Sequence, residues 1–284
     1  MAGFFGLFNY DKVGPGIRKD APQKRIPFVF IETFFRNFWK FITVNLVYFI
    51  ISIPMITNGL AMVGITHVVR NTARDKHSFG LSDFFETIKK NWKQALIVGI
   101  INTVATIAII FDLTFFFSSE GTFGTIGLGI SMFVTLVFII MNFYIWTMMI
   151  TFSFNIKQLY KNSFKFVFIN FWKNLLCLIL VVFSLIFYIL IFYVVSLLSA
   201  TIIPIAMTLE IIIFLCTYPC FINLMIQYFV FPQLKKYIID PYYKENPYAD
   251  IEKRRDLGLE VEEPKRYDEN GEEIIEEEDI VFED

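Results

Sequence analysis

The chain predicts an all-α, polytopic integral membrane protein, with about six transmembrane helices as three hairpins and amphipathic helices along the cytoplasmic face. Three observations predict it. First, 56% of the 284 residues are hydrophobic and the mean hydropathy is +0.57, values of the membrane class. Second, charge is missing from Phe41–Thr66, Gln94–Phe111, Gly121–Ile156, Asn174–Leu209 and Ile211–Leu234. Several of these exceed the roughly 20 apolar residues that cross a bilayer as helix. Third, six spans at about 40–54, 55–70, 94–112, 124–152, 174–198 and 203–231 place all 25 Lys and Arg on one side. The connections on the other side carry only Asp112 and Glu120. The positive-inside bias then makes both termini cytoplasmic. Five or seven spans would scatter positive charge onto both faces.

Residues 1–27 form the first element, a cytoplasmic loop. Gly14-Pro15-Gly16 forces a turn, because proline fixes its own φ and glycine accepts conformations that other residues avoid. Pro22 holds Ala21 extended. Arg18, Lys19 and Asp20 project charge from this turn, which makes Gly14, Pro15, Gly16, Arg18, Lys19 and Asp20 the candidate partner-binding surface. The alternative is a plug on the protein's own inner helices, with Asp20 paired to a basic residue near Arg70–Lys76. The spacing is not that of a phosphate-binding loop. Aromatic residues precede the positive charges, the reverse of a signal peptide.

The membrane domain is expected at 28–239. Three of its tryptophans share one context: Asn37-Phe38-Trp39-Lys40, Asn91-Trp92-Lys93 and Asn170-Phe171-Trp172-Lys173. Each stands just before an odd-numbered span. Trp favours the interface because its ring is apolar and its N–H needs a wet partner. A neighbouring Lys extends its ammonium toward headgroups while its stem stays in lipid. Trp39, Lys40, Trp92, Lys93, Trp172 and Lys173 are therefore the predicted interface anchors. Upstream of them lie Glu32–Phe35, Asp83–Thr87 and Lys165–Phe168. Each unit reads as a cytoplasmic amphipathic helix, an anchor and a hairpin, repeated three times in one orientation, unlike inverted transporter repeats.

Span two, Pro54–Arg70, is short and holds Asn58, Gly59 and Gly64. It cannot be a lipid-exposed loop, whose backbone would lack hydrogen-bond partners. Gly59, Ala61 and Gly64 would allow close helix approach. The outer connection between spans three and four is expected as a loop over Phe111–Gly124. Residues 240–284 are polar and acidic and are expected to be disordered.

The N-terminal pattern Phe4, Phe5, Asn9, Tyr10, Lys12, Gly14–Ile17, Lys19, Asp20 and Pro22 is followed by Phe34–Arg36 and Phe38–Lys40. With Arg74–His77 and Lys90–Lys93, it resembles the YesL-like family of bacterial membrane proteins, a family of unknown function. The resemblance covers roughly residues 3–235. It implies a genomic association with carbohydrate ABC importers and polysaccharide-degrading enzymes, and no established activity.

Intramembrane ionisable groups point to function. Glu210 is the one carboxylate inside a span; as proton relay or substrate ligand it would need polar partners, of which Asn58, Asn102 and Asn142 are the candidates. Otherwise it is a protonated packing residue. His67 reads as a helix-end hydrogen-bonder. Two histidines cannot build a His-rich metal site, and Cys216 and Cys220, one turn apart, read as packing residues. No Ser-His-Asp set, Walker loop or dinucleotide loop is present. Basic residues beside aromatic ones lie at membrane borders, where anionic lipid rather than nucleic acid is the partner. The expectation is a non-enzymatic membrane protein without cofactor or metal, an accessory of carbohydrate uptake beside an ABC importer. The alternatives are a small transporter using Glu210, and a membrane enzyme acting on lipid or glycan.

Overall fold

A computed structural model describes residues 26–196 and 203–246. The N-terminal loop, with Gly14, Pro15, Gly16, Arg18, Lys19 and Asp20, and the tail beyond Asn246 lie outside the described residues. The described chain is helical, with no strand in it: α1 Ile26–Arg36, α2 Phe38–Ser52, α3 Asn58–Ala73, α4 Leu81–Ser118, α5 Gly121–Thr151, α6 Ile156–Ile169, α7 Phe171–Ser196, α8 Ile203–Leu234 and α9 Asp240–Glu245. Four of these, α4, α5, α7 and α8, are long and apolar enough to cross a membrane. Their outer faces are lined with exposed Ile, Phe, Val and Leu, which a water-soluble fold would bury.

The segment expected as a short span two holds α3, which lies inside the protein. It packs against α2, α4, α5 and α8. Ten of its residues are buried, among them Ala61, Val63, Ile65, Val68 and Val69. Enclosure by other helices explains why a short helix of modest hydropathy is stable here. Small residues set the contact with α4. A Cβ on Gly59 would lie 2.2 Å from the Ala95 carbonyl oxygen and 2.7 Å from Gly99 Cα, so the two backbones touch.

The predicted amphipathic helices are α1 and α6, and each ends at an asparagine. Asn37 (φ −107°, ψ 18°) separates α1 from α2, and Asn170 (φ −130°, ψ 50°) separates α6 from α7. The second unit differs from the expectation. Residues Leu81–Ser118 run as one helix straight through Asn91, and the amphipathic part is not a separate element. Nothing between Phe85 and Lys93 breaks a helix, and the Glu86–Lys90 pair, 2.7 Å apart at i,i+4, supports it. The helix break of the threefold pattern is therefore absent from the second unit. The three tryptophans all face outward, Trp39 and Trp172 at 78% exposure and Trp92 at 51%.

The connection expected as a loop over Phe111–Gly124 is a tight hairpin instead. Helix α4 continues to Ser118 because Phe111–Phe117 offers no breaker, and α5 begins at Gly121. Gly121 makes the turn with φ 77°, which a side chain would disfavour. Ser118 sits exposed at this tip. In a cysteine-free background, Ser118→Cys is expected to react with an impermeant thiol reagent in intact cells. Labelling only after lysis would reverse the orientation given by the charge distribution.

The boundary at Asp240 also moves. Past α8 the chain continues as a π-turn over Lys235–Ile239 and then α9 to Glu245. Tyr243 is buried with Ile239 against Phe152 and Phe231, so apolar contact carries the ordered domain six residues further. Pro241 is no obstacle, because the first helical turn needs no proline N–H.

Candidate functional site

Arg36, Lys40, Arg70, Lys76 and Lys90 gather where α1, α2, α3 and α4 meet around the α3–α4 connection. Arg36 at the end of α1 pairs with Asp75 in the α3–α4 connection. Arg74 lies over the Phe231 ring of α8, 4.3 Å from its centroid. Two open clefts lie there. One, of about 540 Å³, is lined by His67, Arg70, Asn71, Asp83, Glu86 and Lys90 among others. The other, of about 520 Å³, is lined by Arg36, Asn37, Lys40, Thr72, Asp75 and Ser78. Lys76 and His77 line both, so the clefts adjoin across the α3–α4 connection.

Local sequence builds this site. The end of α3 is closed by Asp75 in the left-handed region (φ 52°), with the Lys76 N–H donating to the Asn71 carbonyl at 3.0 Å. Asp tolerates this conformation better than most residues. Gly80 (φ 64°) then starts α4, and Asp83 accepts from the Phe79 N–H at 3.1 Å. Arg70 is the anchor of the cleft wall, at 6% exposure. It donates to Thr151 Oγ1 at 2.9 Å and to the Ile150 carbonyl at 3.2 Å. Those groups close α5, where a cation complements the helix dipole and the terminal carbonyls need donors. Arg70 is thus committed to structure. Asn71 Nδ2 stands 3.1 Å from His67 Nε2, which fits the reading of His67 as a helix-end hydrogen-bonder. Glu86 and Lys90 are exposed, and the hydrogen bond and charge of the Lys90 ammonium hold the Glu86 carboxyl below its usual range. The arrangement can recognise a charged surface or ligand by exchangeable ion pairs.

The four candidates for an intramembrane site do not meet. Asn102 and Asn142 pair across α4 and α5 at 2.8 Å, and the Tyr160 hydroxyl of α6 donates to Asn102 Oδ1 at 2.8 Å. Asn58 lies at the start of α3, where Tyr48 and Ser52 reach it at 3.4 Å. Glu210 lies elsewhere, on α8 against α7, and its carboxylate oxygens have no hydrogen-bond partner among the described residues. The asparagines are candidates because they are polar and lie on other spans, and that does not fix which helix faces which. No group of three or more His, Cys, Asp or Glu within reach of one metal ion occurs among the described residues.

Sequence reasoning missed a buried polar seam. The Tyr144 hydroxyl stands between the amides of Asn174, at 2.5 Å, and Gln233, at 2.7 Å. Gln227 Nε2 donates to Thr147 Oγ1 at 2.9 Å, and Asn223 Nδ2 donates to Thr66 Oγ1 at 3.1 Å. All of these residues are buried, and together they tie α3, α5, α7 and α8. A signal existed: Asn223 and Gln227, and Thr147 and Thr151, are i,i+4 pairs on charge-free helices, each pair on one face.

The family described as "Protein of unknown function, DUF624" has a model that matches residues 41–113, from α2 through α3 and most of α4. Much of the cleft lies in that stretch. No curated protein and no solved structure matches the chain.

Proposed function

We propose that this chain is a non-enzymatic accessory component of carbohydrate uptake in a bacterial plasma membrane. It works beside an ABC importer and docks through the charged cleft, with both termini in the cytoplasm. The observation that carries the docking part is the open cleft. It is lined by cations and acids from the end of α1, from α2, α3 and α4 and from the α3–α4 connection. Its ion pairs are exposed, with side-chain exposures of 53% and 65% for Arg36–Asp75 and 71% and 58% for Lys90–Glu86. Exposed pairs contribute little to stability, so they are free to exchange partners. The importer part rests on the YesL-like resemblance and its genomic association.

Charge reversal tests the proposal. Lys76→Glu with Lys90→Glu places two acids beside Asp83 and Glu86. A partner that recognises this face is expected to co-purify from native membranes at about a tenth of its former yield or less, the effect of ~1.4 kcal/mol or more of charge mismatch. Thermal stability in detergent is expected to change little, because the Glu86–Lys90 pair is exposed and such pairs contribute little. An unchanged partner list with unchanged stability would remove the cleft as a docking face.

A second reading, a small transporter in its own right, is supported by the seam. Asn223 lines a groove of about 280 Å³ with Tyr48, Met62 and Ile65. From there Thr66, Gln227, Thr147 and Thr151 lead to Arg70 at the cleft. Uptake by proteoliposomes holding this chain alone separates the two readings.

A further inference from the structure

Helix α6 carries a face that suits neither water nor hydrocarbon. Lys157, Lys161 and Lys165 stand at i, i+4 and i+8 and are exposed. Phe164 and Phe168, each 49% exposed, project among them, with their rings edge to face at 5.2 Å between centroids. Residues spaced by three, four and seven share one side of a helix, so lysines and rings form a single mixed stripe. Beyond Asn170, Trp172 and Lys173 at the start of α7 are exposed as well.

The bundle fixes which way this stripe points. On the other side of α6, Leu159, Ser163, Phe166 and Val167 are buried. Phe166 lies against the Tyr144 ring of α5, 5.2 Å between centroids, and the Tyr160 hydroxyl donates to Asn102 of α4 at 2.8 Å. Asn155 and Gln158 cap the first turn of α6 reciprocally. Near its end, Asn174 Nδ2 of α7 donates to the Phe166 and Val167 carbonyls at 2.8 and 3.0 Å. Helix α6 joins the end of α5 to the start of α7, and both of those are long and apolar enough to cross a membrane. It therefore lies at a membrane border.

The charge on the stripe is uncompensated. No Asp or Glu occurs at 121–209. Among the described residues, none of Lys157, Lys161, Lys165 and Lys173 takes part in a salt bridge. Water would leave the two phenylalanine rings unburied, and hydrocarbon would strip the ammonium groups of their hydration. The headgroup layer satisfies both. The rings enter the acyl boundary while the lysine stems carry their charge out to the phosphates. Unpaired cations at that depth discriminate between headgroups, because an anionic lipid attracts them and a zwitterionic one, with no net charge, does so far less.

We propose that the exposed face of α6, continued by Lys173, binds anionic phospholipid headgroups in preference to zwitterionic ones. Lys157, Lys161 and Lys165 supply the selectivity, and Phe164 and Phe168 hold the helix at headgroup depth. This surface shares no residue with the charged cleft and does not depend on the docking role.

The test uses the full chain in nanodiscs of phosphatidylglycerol and phosphatidylcholine in equal parts. A trace of one lipid or the other carries a diazirine close to its glycerol, and cross-links are mapped by peptide mass spectrometry. The phosphatidylglycerol probe is expected to label residues 156–173 at least about fivefold more than the phosphatidylcholine probe. The α4–α5 tip is the internal control. Phe117 and Phe123 are exposed there, no Lys or Arg is near in sequence, and no such excess is expected. Lys157→Gln, Lys161→Gln and Lys165→Gln together should remove the excess at α6 and leave the tip unchanged, whereas arginine at the same three positions should keep it. Salt at about 0.5 M should shrink the excess by screening. Equal labelling of α6 by the two probes overturns the proposal, and so does an excess that survives the three glutamines. No labelling of α6 by either probe also overturns it, because the face would then be covered by protein or turned to water. If the glutamine variant fails to fold, the wild-type ratio at low and high salt decides alone.

Discussion

Asn45→Leu is expected to destabilise the protein by about 2–6 kcal/mol, counting ~1–3 for each of two buried backbone groups left without a partner. The reason lies 171 residues away along the chain. Helix α8 contains Pro219, which has no N–H and whose ring pushes the preceding turn open. The Asn45 side chain, fully buried on α2, fits into that opening. Its Nδ2 donates to the Cys216 carbonyl at 2.7 Å, and its Oδ1 accepts from the Cys220 N–H at 3.0 Å. Cys216 and Cys220 are the i and i+4 positions of one helical turn, so a single amide replaces both halves of a lost helix bond. Neither lipid nor leucine can do this, since neither offers a donor or an acceptor. Asn45→Asp keeps the acceptor alone and is expected to be intermediate. The decisive experiment is a double-mutant cycle read by thermal unfolding in detergent. Pro219→Ala lets α8 close its own turn, so it should recover much of the loss in Asn45→Leu while doing little to stabilise the wild type. Strict additivity of the two changes would show that Asn45 does not act through the proline break.

This interaction marks the limit of what the sequence revealed. The helical class, the set of hydrophobic segments and the amphipathic α1 and α6 were legible, because charge-free length and periodicity carry that information directly. Gly59 and Gly64 were legible as contact points because small residues on an inner helix have one main use. Asn45 was not. Its partners are backbone atoms of α8, and nothing in Asn45 or Cys216 indicates which helices face each other. The same blindness produced the incorrect grouping of Glu210 with Asn58, Asn102 and Asn142. Polar residues on different spans belong to one site only when the packing turns them together. The helix breaks were half legible. Asn37 and Asn170 end their helices and Asn91 does not, although its Nδ2 donates to the Thr87 carbonyl at 3.0 Å much as Asn37 Nδ2 donates to Thr33 at 2.9 Å. The side-chain bond is therefore not what breaks the helix. The local run decides, and the two copies that break are the ones that carry a phenylalanine directly after the asparagine.

Gly59→Val and Gly99→Val are each expected to cost about 3 kcal/mol or more, at or beyond the upper end of the usual overpacking range. At Gly59 the new Cβ meets backbone rather than a movable side chain: the Ala95 carbonyl oxygen at 2.2 Å and Gly99 Cα at 2.7 Å. At Gly99 it meets Gly59 Cα at 2.8 Å and Gly59 N at 2.9 Å. Neither helix can relieve this by changing a rotamer, so α3 and α4 must move apart. That separation would open the wall of the charged cleft, because the α3–α4 connection and both flanking helices form it. Loss of the docking partner should therefore accompany loss of stability in these variants, unlike Lys76→Glu with Lys90→Glu, where stability is kept. Gly129 supplies the control. A Cβ there meets nothing within 4 Å, so Gly129→Ala is expected to be neutral or to stabilise α5 by about 0.5–1 kcal/mol through reduced backbone entropy of the unfolded chain. Circular dichroism melts in one detergent compare all three. If Gly59→Val and Gly129→Ala melt alike, the close approach of α3 and α4 is not what holds the inner helix in place.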